Sequence, residues 1–351
     1  MTKNLFNMHT QYNLILSVGI LSRYDNAHNT LVLFPEFKLT SRMLKSLSKI
    51  YDRVIVIRED FVPQKSAMEE IKQTRFYLNL KSVKNIKNEK FDNIFMSQER
   101  PFDLILCRRY RKNNKSVKCY HIEEDAYYSI QEKYNEPDFS FKLTTLTKMK
   151  RTLFALLLGY PYSYKEVIYC YGMSSEYDGA NLLFPHVARR ELQGKELLEV
   201  TRAELIYGIE TLYREQRFGL PLSEKYTVFF FDLISRYKQP EIIKIIVKKI
   251  VEDSKMAGRA VLLKYHPRET EKFDDIVGGV EVPSDIPAEK ILLDLLNKDV
   301  MVFGNATTCC IVAAKLGFNV CSVCKIESPN NKKMHEIMNT IGVFCPDEIM
   351  I

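Results

Sequence analysis

Three stretches of the sequence end an apolar run in residues that can hold a phosphate or move a proton. In the first, AVLLKYHPRE, the run leads into Lys264 and His266 and is followed by Pro267. It predicts a buried strand, which Pro267 ends because proline cannot donate to the ladder. An imidazole beside a lysine can hydrogen-bond an anionic leaving group, or protonate it, as negative charge develops. A structural hydrogen bond is the simpler role for a single histidine at a strand end.

The second stretch, CYHIEEDAYY, places Glu123, Glu124 and Asp125 at the end of a predicted strand. Carboxylates packed side by side repel one another, which predicts a raised pKa for at least one of them and hence a general base. A solvated acidic turn is the alternative interpretation. Asp232, at the end of YTVFFFD, is a further candidate base that ranks below this cluster.

The third stretch, MVFGNATTCC, predicts a strand, a turn at Gly304 and Asn305, and a helix capped by Thr307 or Thr308. A helix start directs backbone N–H groups and the positive end of the helix dipole toward a ligand, which suits a phosphate. A simple N-cap is the alternative, and the two roles are compatible.

Strand and helix patterns alternate in the first third of the chain, which predicts a doubly wound α/β domain. Thr10 is expected to cap a helix over residues 11–22. Residues 130–220 are predicted to be helical or irregular. The remaining predictions are strands over 4–9, 30–35, 53–59, 102–107 and 117–122, and a helix over 39–51.

A second α/β unit is predicted from residue 222, which gives domains 1–221 and 222–351. We expect two Rossmann-like domains facing across a cleft, with ligands outside the carboxyl ends of the strands. No G-x-G-x-x-G follows the first strand, which argues against a dinucleotide site. The predicted strands of this unit cover 226–234, 260–265, 299–304 and 319–324, and the helices cover 239–258, 287–297 and 307–317.

Length and charge fit a two-domain protein with anionic ligands. The chain has 351 residues, and its net charge of +7 favours anionic partners. We expect no nucleic acid partner, since no binding module or arginine-rich stripe is present. The absence of a secretory signal pattern and of a membrane-spanning run predicts a cytoplasmic protein. A peripheral membrane contact by the basic and apolar segment 147–159, and a homodimer, are left open.

The cysteine pattern favours reduced core thiols. Cys321 and Cys324 have the spacing of a metal-binding pair, but they lie in a predicted buried strand, where residues three apart point to opposite faces. No second pair completes a zinc site. No acidic loop suits Mg²⁺ either, so neither a metal nor another cofactor is expected.

Taken together, the three stretches resemble the motifs of bacterial sialyltransferases of the lipooligosaccharide and capsule type (glycosyltransferase family 52) and of the related polysialyltransferases. Those enzymes carry two acidic residues before a glycine, then His-Pro, then a Ser/Thr pair, and here EEDA, HP and TT occur in that order. The opening HTQYNLIL is similar to their Thr-x-Tyr segment. The resemblance runs from residue 9 to about residue 320.

This resemblance implies a GT-B fold with the acceptor on the N-terminal domain and a CMP-sugar donor on the C-terminal one. By the same carry-over, His266 contacts the CMP phosphate, Thr307 and Thr308 bind it too, and Glu289 holds the ribose hydroxyls. Lys264 matches a lysine two residues before the histidine in some of these enzymes.

One departure from the family pattern concerns the acidic motif. The glycine is missing, so the acidic pair can be Glu124 with Asp125, or Glu123 with Glu124. The implied activity is inverting, metal-independent transfer from CMP-sialic acid to a galactose-type hydroxyl of an oligosaccharide or glycolipid. The alternatives are polysialic acid synthesis, transfer from CDP-glycerol, and a non-catalytic subunit that kept the GT-B shape.

Overall fold

The computed structural model describes residues 1–57, 77, 80–86, 88–99, 101–130, 149, 153, 171–273, 275–327 and 329–347. The chain forms two compact units, Met1–Val200 (unit 1) and Thr201–Ile351 (unit 2). Each is built on one parallel sheet with helices, so the predicted pair of Rossmann-like α/β domains is confirmed. Within the described residues, no helix is long and apolar enough to cross a membrane.

Unit 1 contains a seven-stranded parallel sheet in the order β3-β2-β1-β4-β5-β6-β7. Its central strands are buried almost throughout, as expected for a parallel sheet covered on both faces. The strands are β1 (Lys3–Met8), β2 (His28–Leu33), β3 (Arg53–Val56), β4 (Asn93–Met96), β5 (Lys118–Ile122), β6 (Gly179–Leu182) and β7 (Glu196–Glu199).

The first helix of unit 1 begins where the sequence predicts. The Thr10 side chain accepts from the Asn13 backbone N–H, and the Asn13 side chain accepts from the Thr10 N–H, which forms a capping box. The helix is buried from Tyr12 to Leu21, and most of these residues are apolar. The helices of the unit are α1 (Gln11–Leu21), α2 (Ser41–Ile50), α3 (Lys81–Ile86), α4 (Pro101–Asn113) and α5 (Ala126–Ile130).

Unit 2 contains a six-stranded parallel sheet in the order β10-β9-β8-β11-β12-β13. The strands are β8 (Lys225–Phe230), β9 (Ala260–Lys264), β10 (Val280–Glu281), β11 (Asp299–Gly304), β12 (Asn319–Ser322) and β13 (Val343–Phe344). The helices are α6 (Arg202–Tyr213), α7 (Pro240–Met256), α8 (Ala288–Asp294), α9 (Thr308–Lys315), α10 (Cys324–Glu327) and α11 (Lys332–Thr340).

Both sheets reverse their strand order once. In unit 1 the chain builds outward from β1 to β3 and then returns to place β4 on the other side of β1. In unit 2 the chain builds outward from β8 to β10 and then returns to place β11 on the other side of β8. Crevices outside the carboxyl ends of the strands at such a switch point bind ligands in open α/β sheets. Each unit therefore has one topologically favoured site.

Several predictions about elements are wrong. Residues 102–107 were expected to form a strand but belong to α4, which has Pro101 at its first position, Asp103 in its first turn and two basic residues in its last. The segment from 171 to 220 contains β6, β7 and α6 where no strand was predicted. Cys324 is outside β12 and begins α10.

The structure divides the chain earlier than residue 222, between Val200 and Thr201. The reason is α6, which packs against α8 of unit 2 and whose Arg202 Nε donates to the Leu316 carbonyl at 2.8 Å.

Candidate active site

Three strands of unit 2 end at the same level beside its switch point. Lys264 of β9 lies opposite Phe230 of β8, and Phe230 lies opposite Gly304 of β11. The segments that follow these residues therefore leave the sheet together at its carboxyl edge. The structure thus places the His-Pro segment and the Gly-Asn turn at the same edge of the sheet, on either side of the end of β8.

His266 lies partly buried in the turn after β9, next to the exposed Pro267. Its Nδ1 accepts a hydrogen bond from the backbone N–H of Arg268 at 3.2 Å, which assigns the proton of the neutral ring to Nε2. Burial lowers the pKa of His266, and Arg268 lowers it further, while Asp232 acts in the opposite direction. At neutral pH the ring is therefore uncharged and presents Nε2–H as a donor.

Lys264 is buried at the end of β9, with 4% of its surface exposed. Its Nζ donates to the carbonyl of Pro283 at 2.7 Å, which uses one of its three donors. Burial lowers the pKa of Lys264, and Glu289 is among the carboxylates that oppose this effect. Burial raises the pKa of Glu289 in turn, and the charge of Lys264 counteracts the rise. The two residues are therefore electrostatic neighbours.

The turn after β11 is formed by Asn305. Its Oδ1 accepts from the Ala306 N–H at 2.9 Å, and its carbonyl accepts from the Thr307 N–H at 2.8 Å. Thr307 occupies the N-cap position of α9 with an extended backbone, but its side chain makes no capping hydrogen bond. Thr307 Oγ1 is buried and does not cap the helix, but it interacts with the Cys310 thiol, where it opposes the rise in the pKa of Cys310 that burial causes. Thr308 is the first residue of α9.

Gly304 allows β11 and α9 to approach each other closely. A Cβ at this position would lie 2.8 Å from Cys310 Sγ and 2.9 Å from the Phe230 carbonyl oxygen. Both distances are shorter than ordinary contacts, so a side chain here would force Cys310 of α9 and the Phe230 backbone of β8 to shift. The glycine therefore sets the position of Thr307 relative to the sheet.

Asp232 follows β8, and its carboxylate is used within its own turn. Its Oδ1 accepts from the Leu233 N–H at 2.8 Å and lies 3.3 Å from Arg236 Nη1. Sequence reasoning missed Glu269, which ties this turn to the His-Pro segment. Glu269 accepts backbone hydrogen bonds from residues 234, 270 and 271. Although desolvation opposes them, these bonds lower the pKa of Glu269.

The acidic motif of unit 1 is divided between the core and the surface. Glu123 is 1% exposed and accepts hydrogen bonds from Tyr12 Oη at 2.6 Å and from the Leu183 N–H at 3.1 Å, which gives it a structural role. Glu124 is partly exposed and accepts from Gln98 Nε2 at 2.6 Å. Asp125, also partly exposed, precedes α5 and accepts from the Ser129 N–H through its carbonyl.

A second group of polar residues lies at the switch point of unit 1, where sequence reasoning placed no catalytic residue. This switch-point cluster consists of His9 after β1, Glu36 after β2, Gln98 after β4, and Asp103 on α4. His9 Nδ1 is 3.7 Å from Glu36 Oε1, and His9 Nε2 is 3.6 Å from Asp103 Oδ1. Gln98 Nε2 contacts both Glu36 and Glu124. The cluster is therefore continuous with the acidic motif.

Within the described residues, no group of three or more His, Cys, Asp or Glu side chains is arranged to hold a metal ion. The described cysteines, including Cys321 and Cys324, are free thiols.

No protein-family model matches the chain, and no curated protein sequence matches it either. Solved structures do resemble it. UDP-GlcNAc 2-epimerase from Neisseria meningitidis, bound to UDP-GlcNAc, shares 13% identity over 97% of this chain and 90% of that one, with a TM-score of 0.53. The glycosyltransferase of kitacinnamycin shares 8% identity over 99% of this chain and 86% of that one, with a TM-score of 0.56.

The GT-B domain of a sialyltransferase from Photobacterium damselae also resembles the chain. It shares 13% identity over 98% of this chain and all of that one, with a TM-score of 0.50. At such identities the likeness concerns the fold and does not specify a substrate. The chain therefore has the GT-B fold, as two parallel α/β units with a candidate site at the carboxyl edge of each sheet.

Proposed function

We propose that the protein is an inverting, metal-independent sialyltransferase, which moves sialic acid from CMP-sialic acid to a galactose-type hydroxyl of a bacterial surface glycan. The observation that supports it best is the carboxyl edge of unit 2. There an uncharged imidazole with Nε2–H, a threonine hydroxyl that does not cap its helix and a helix start follow strands that end at one level. Such a set of neutral donors suits a phosphate that gains charge during the reaction.

In the proposed reaction the bond between the anomeric carbon and the phosphate oxygen breaks, and CMP leaves with the electron pair. His266 donates its Nε2 hydrogen to the phosphate, and the Thr307 hydroxyl donates to the same group. The backbone at the start of α9, including Thr308, adds the positive end of the helix dipole. These donors are fixed by the folded chain, so they stabilise the leaving group without reorganisation.

Lys264 and Glu289 are assigned to the nucleoside side of the donor. Glu289 holds the ribose hydroxyls, since a carboxylate accepts hydrogen bonds from a diol. Lys264 keeps two donors beyond its bond to Pro283 and offsets the charge of Glu289. Gly304 and Asn305 act indirectly, because they set the turn from which Thr307 projects.

On the acceptor side, the hydroxyl must lose a proton to a group on unit 1. Glu123 is unsuited to this role because both of its carboxylate oxygens are engaged in the core. Glu124 and Asp125 are partly exposed and are the members of the acidic motif that an acceptor can contact.

The test is CMP release from CMP-N-acetylneuraminic acid with lactose as acceptor and EDTA present, for the wild type and for His266→Ala. We expect acceptor-dependent release that falls about a hundredfold or more in the variant, as for loss of a key donor to a developing anion. The same panel includes CDP-glycerol and UDP-GlcNAc as donors.

Turnover of CDP-glycerol or UDP-GlcNAc in place of the CMP-sugar would contradict the proposed donor. CMP binding without turnover of any donor would support a non-catalytic subunit. A folded protein that neither binds nor releases CMP would remove the basis of the proposal.

A further inference from the structure

His9 lies at the carboxyl end of β1, directly at the switch point of unit 1. This position is where an α/β sheet offers a ligand site. The ring is only 2% exposed, and neither Nδ1 nor Nε2 has a hydrogen-bond partner among the described residues. Buried polar atoms are nearly always paired, so an imidazole with two unsatisfied nitrogens calls for an explanation beyond packing.

The surroundings of His9 hold the ring in one place. Phe34 stacks on it with ring centroids 5.0 Å apart and an interplanar angle of 9°. The His9 backbone N–H donates to Asn13 Oδ1 at 3.1 Å, which ties the residue to the cap of α1. The ring therefore has a fixed orientation between two carboxylates.

Those two carboxylates differ in environment. Asp103, on the Nε2 side, is fully buried, and Asn7 Nδ2 donates to its Oδ1. Glu36, on the Nδ1 side, is an exposed residue of the loop after β2. Asp103 lies 3.6 Å from Nε2, and the negative charge of this buried carboxylate favours the ring proton on that nitrogen, which leaves the other nitrogen as a proton acceptor. For His9 the accepting nitrogen is Nδ1, on the more exposed side.

We propose, on the basis of the proposed function, that His9 and not a carboxylate of the acidic motif is the group that takes the acceptor's proton. The acceptor oxygen attacks the anomeric carbon while its hydrogen passes to His9 Nδ1. The bond from the anomeric carbon to the phosphate oxygen breaks, and CMP leaves with the electron pair. Asp103 stabilises the imidazolium that forms, which then returns its proton to solvent. His9 is a catalytic residue in this scheme, and Asp103 is a positioning residue.

Glu124 contributes to the same site through Gln98. Gln98 Nε2 lies 2.6 Å from Glu124 Oε1 and 3.5 Å from Glu36 Oε1. This amide connects the acidic motif with the loop that faces His9 Nδ1. Glu124 is therefore placed to bind hydroxyl groups of the acceptor sugar while His9 accepts the proton.

The experiment compares the full-length wild type with His9→Ala, His9→Gln and Glu124→Gln, and uses His28→Ala as the matched control. His28 is a histidine of the same unit, 3.5 Å from the carboxylate of Asp52, but it lies at the amino end of β2. Three quantities are measured: the affinity for CMP, the slow release of CMP without acceptor, and transfer to lactose. Transfer is measured again after addition of free imidazole.

We expect transfer by both His9 variants to fall by about 10²–10⁴-fold, the usual contribution of a general base. CMP affinity and acceptor-independent release should stay at wild-type levels, because unit 2 binds the donor. Imidazole should restore part of the transfer in His9→Ala, where it can occupy the space beside Phe34. Glu124→Gln should mainly raise the KM for the acceptor, and His28→Ala should match the wild type.

Full transfer by His9→Gln would overturn the inference, as would a loss of kcat that appears in Glu124→Gln and not in the His9 variants. A His9→Ala protein that binds CMP normally, lacks transfer and does not respond to imidazole would also count against a proton-accepting role. If the wild type itself turns over no CMP-sugar, the proposed function fails, and the inference fails with it.

Discussion

At the scale of single residues, the proton on His266 determines what the residue can do. Its Nδ1 is occupied by the Arg268 N–H, and burial lowers its pKa, so the ring acts as a neutral donor through Nε2. Glutamine carries an amide nitrogen near the position of Nε2, whereas alanine carries no donor.

We therefore expect His266→Gln to retain at least about tenfold more transfer than His266→Ala, which should lose about 10²–10³-fold. The measurement is kcat for CMP release at saturating lactose, with CMP affinity as the control for folding of unit 2. Equal losses in the two variants would mean that the residue transfers a proton, since an amide cannot do so.

His121 gives a second prediction at this scale, for stability and not for activity. It is buried on β5, and burial lowers its pKa from the ordinary histidine value of 6.5 to about 3. Because the folded state binds fewer protons than the unfolded state between these values, this residue stabilises the fold fully above pH 6.5 and loses its contribution as the pH falls. The free energy of unfolding should drop by up to about 1.4 kcal/mol per pH unit from this group alone.

Urea unfolding of the wild type and of His121→Gln, each at pH 7 and pH 5, measures how much the free energy of unfolding decreases as the pH falls. The variant should show a smaller decrease than the wild type. The exposed His186, changed to Gln in the same unit, should leave the decrease unchanged. If His121→Gln loses as much free energy of unfolding between pH 7 and pH 5 as the wild type, other groups cause the acid sensitivity.

At the scale of elements, the sequence is most informative where patterns are long or caps are explicit. Thr10 and the apolar residues after it predict α1, and the gap-free apolar runs predict β8, β9 and β11, all of which are confirmed. Residues 102–107 were predicted wrongly because a short segment that is apolar except for Asp103 fits a strand and a helix equally well. The features that indicate a helix are Pro101 at its first position and the basic residues of its last turn.

The same limit explains which parts of the candidate sites escape sequence analysis. His266 and Thr307 follow runs that mark strand ends, so their location could be predicted. His9 also ends a strand, but nothing local to it indicates Asp103, which is brought beside it by the crossover from β4 into α4. The sequence around Glu123 does not predict its hydrogen bond with Tyr12, because the two residues are far apart in the chain.

Gly304 carries a prediction at the element scale. In Gly304→Ala the new methyl group would meet Cys310 Sγ and the Phe230 carbonyl below 3 Å, so the contacts of β11 with α9 and β8 must change. We expect a loss of about 1–3 kcal/mol in stability, typical of overpacking. A weaker affinity for CMP should accompany it, by about tenfold for each 1.4 kcal/mol of binding free energy lost.

Gly219→Ala is the matched control in unit 2, because a Cβ there has no atom within 4 Å. Calorimetry measures the affinity of both variants for CMP, and thermal unfolding measures their stability. Unchanged CMP affinity in a destabilised Gly304→Ala would show that the start of α9 does not contact the phosphate.

At the scale of the whole molecule, two units repeat one topology with different chemistry at the switch point. Unit 2 presents neutral donors around His266 and Thr307, which suit an anion. Unit 1 presents carboxylates and His9, which suit hydroxyl groups and a departing proton. The repetition of a fold therefore does not repeat a function, because each site depends on the residues that follow the strands.

This division predicts where each ligand slows amide hydrogen exchange in the intact protein. CMP should slow exchange in the segments after β8, β9 and β11, because a bound ligand suppresses the local openings of the elements that it contacts. The carboxyl edge of unit 1, including the segments after β1, β4 and β5, should be unaffected by CMP and should respond only when lactose is added. Mass spectrometry of peptides from the free, CMP-bound and lactose-containing protein measures both effects. The opposite result would be that CMP alone slows exchange after β1 and β4 and leaves unit 2 unchanged. The nucleotide would then bind at the switch point of unit 1, and the donor and acceptor sides would have to be exchanged.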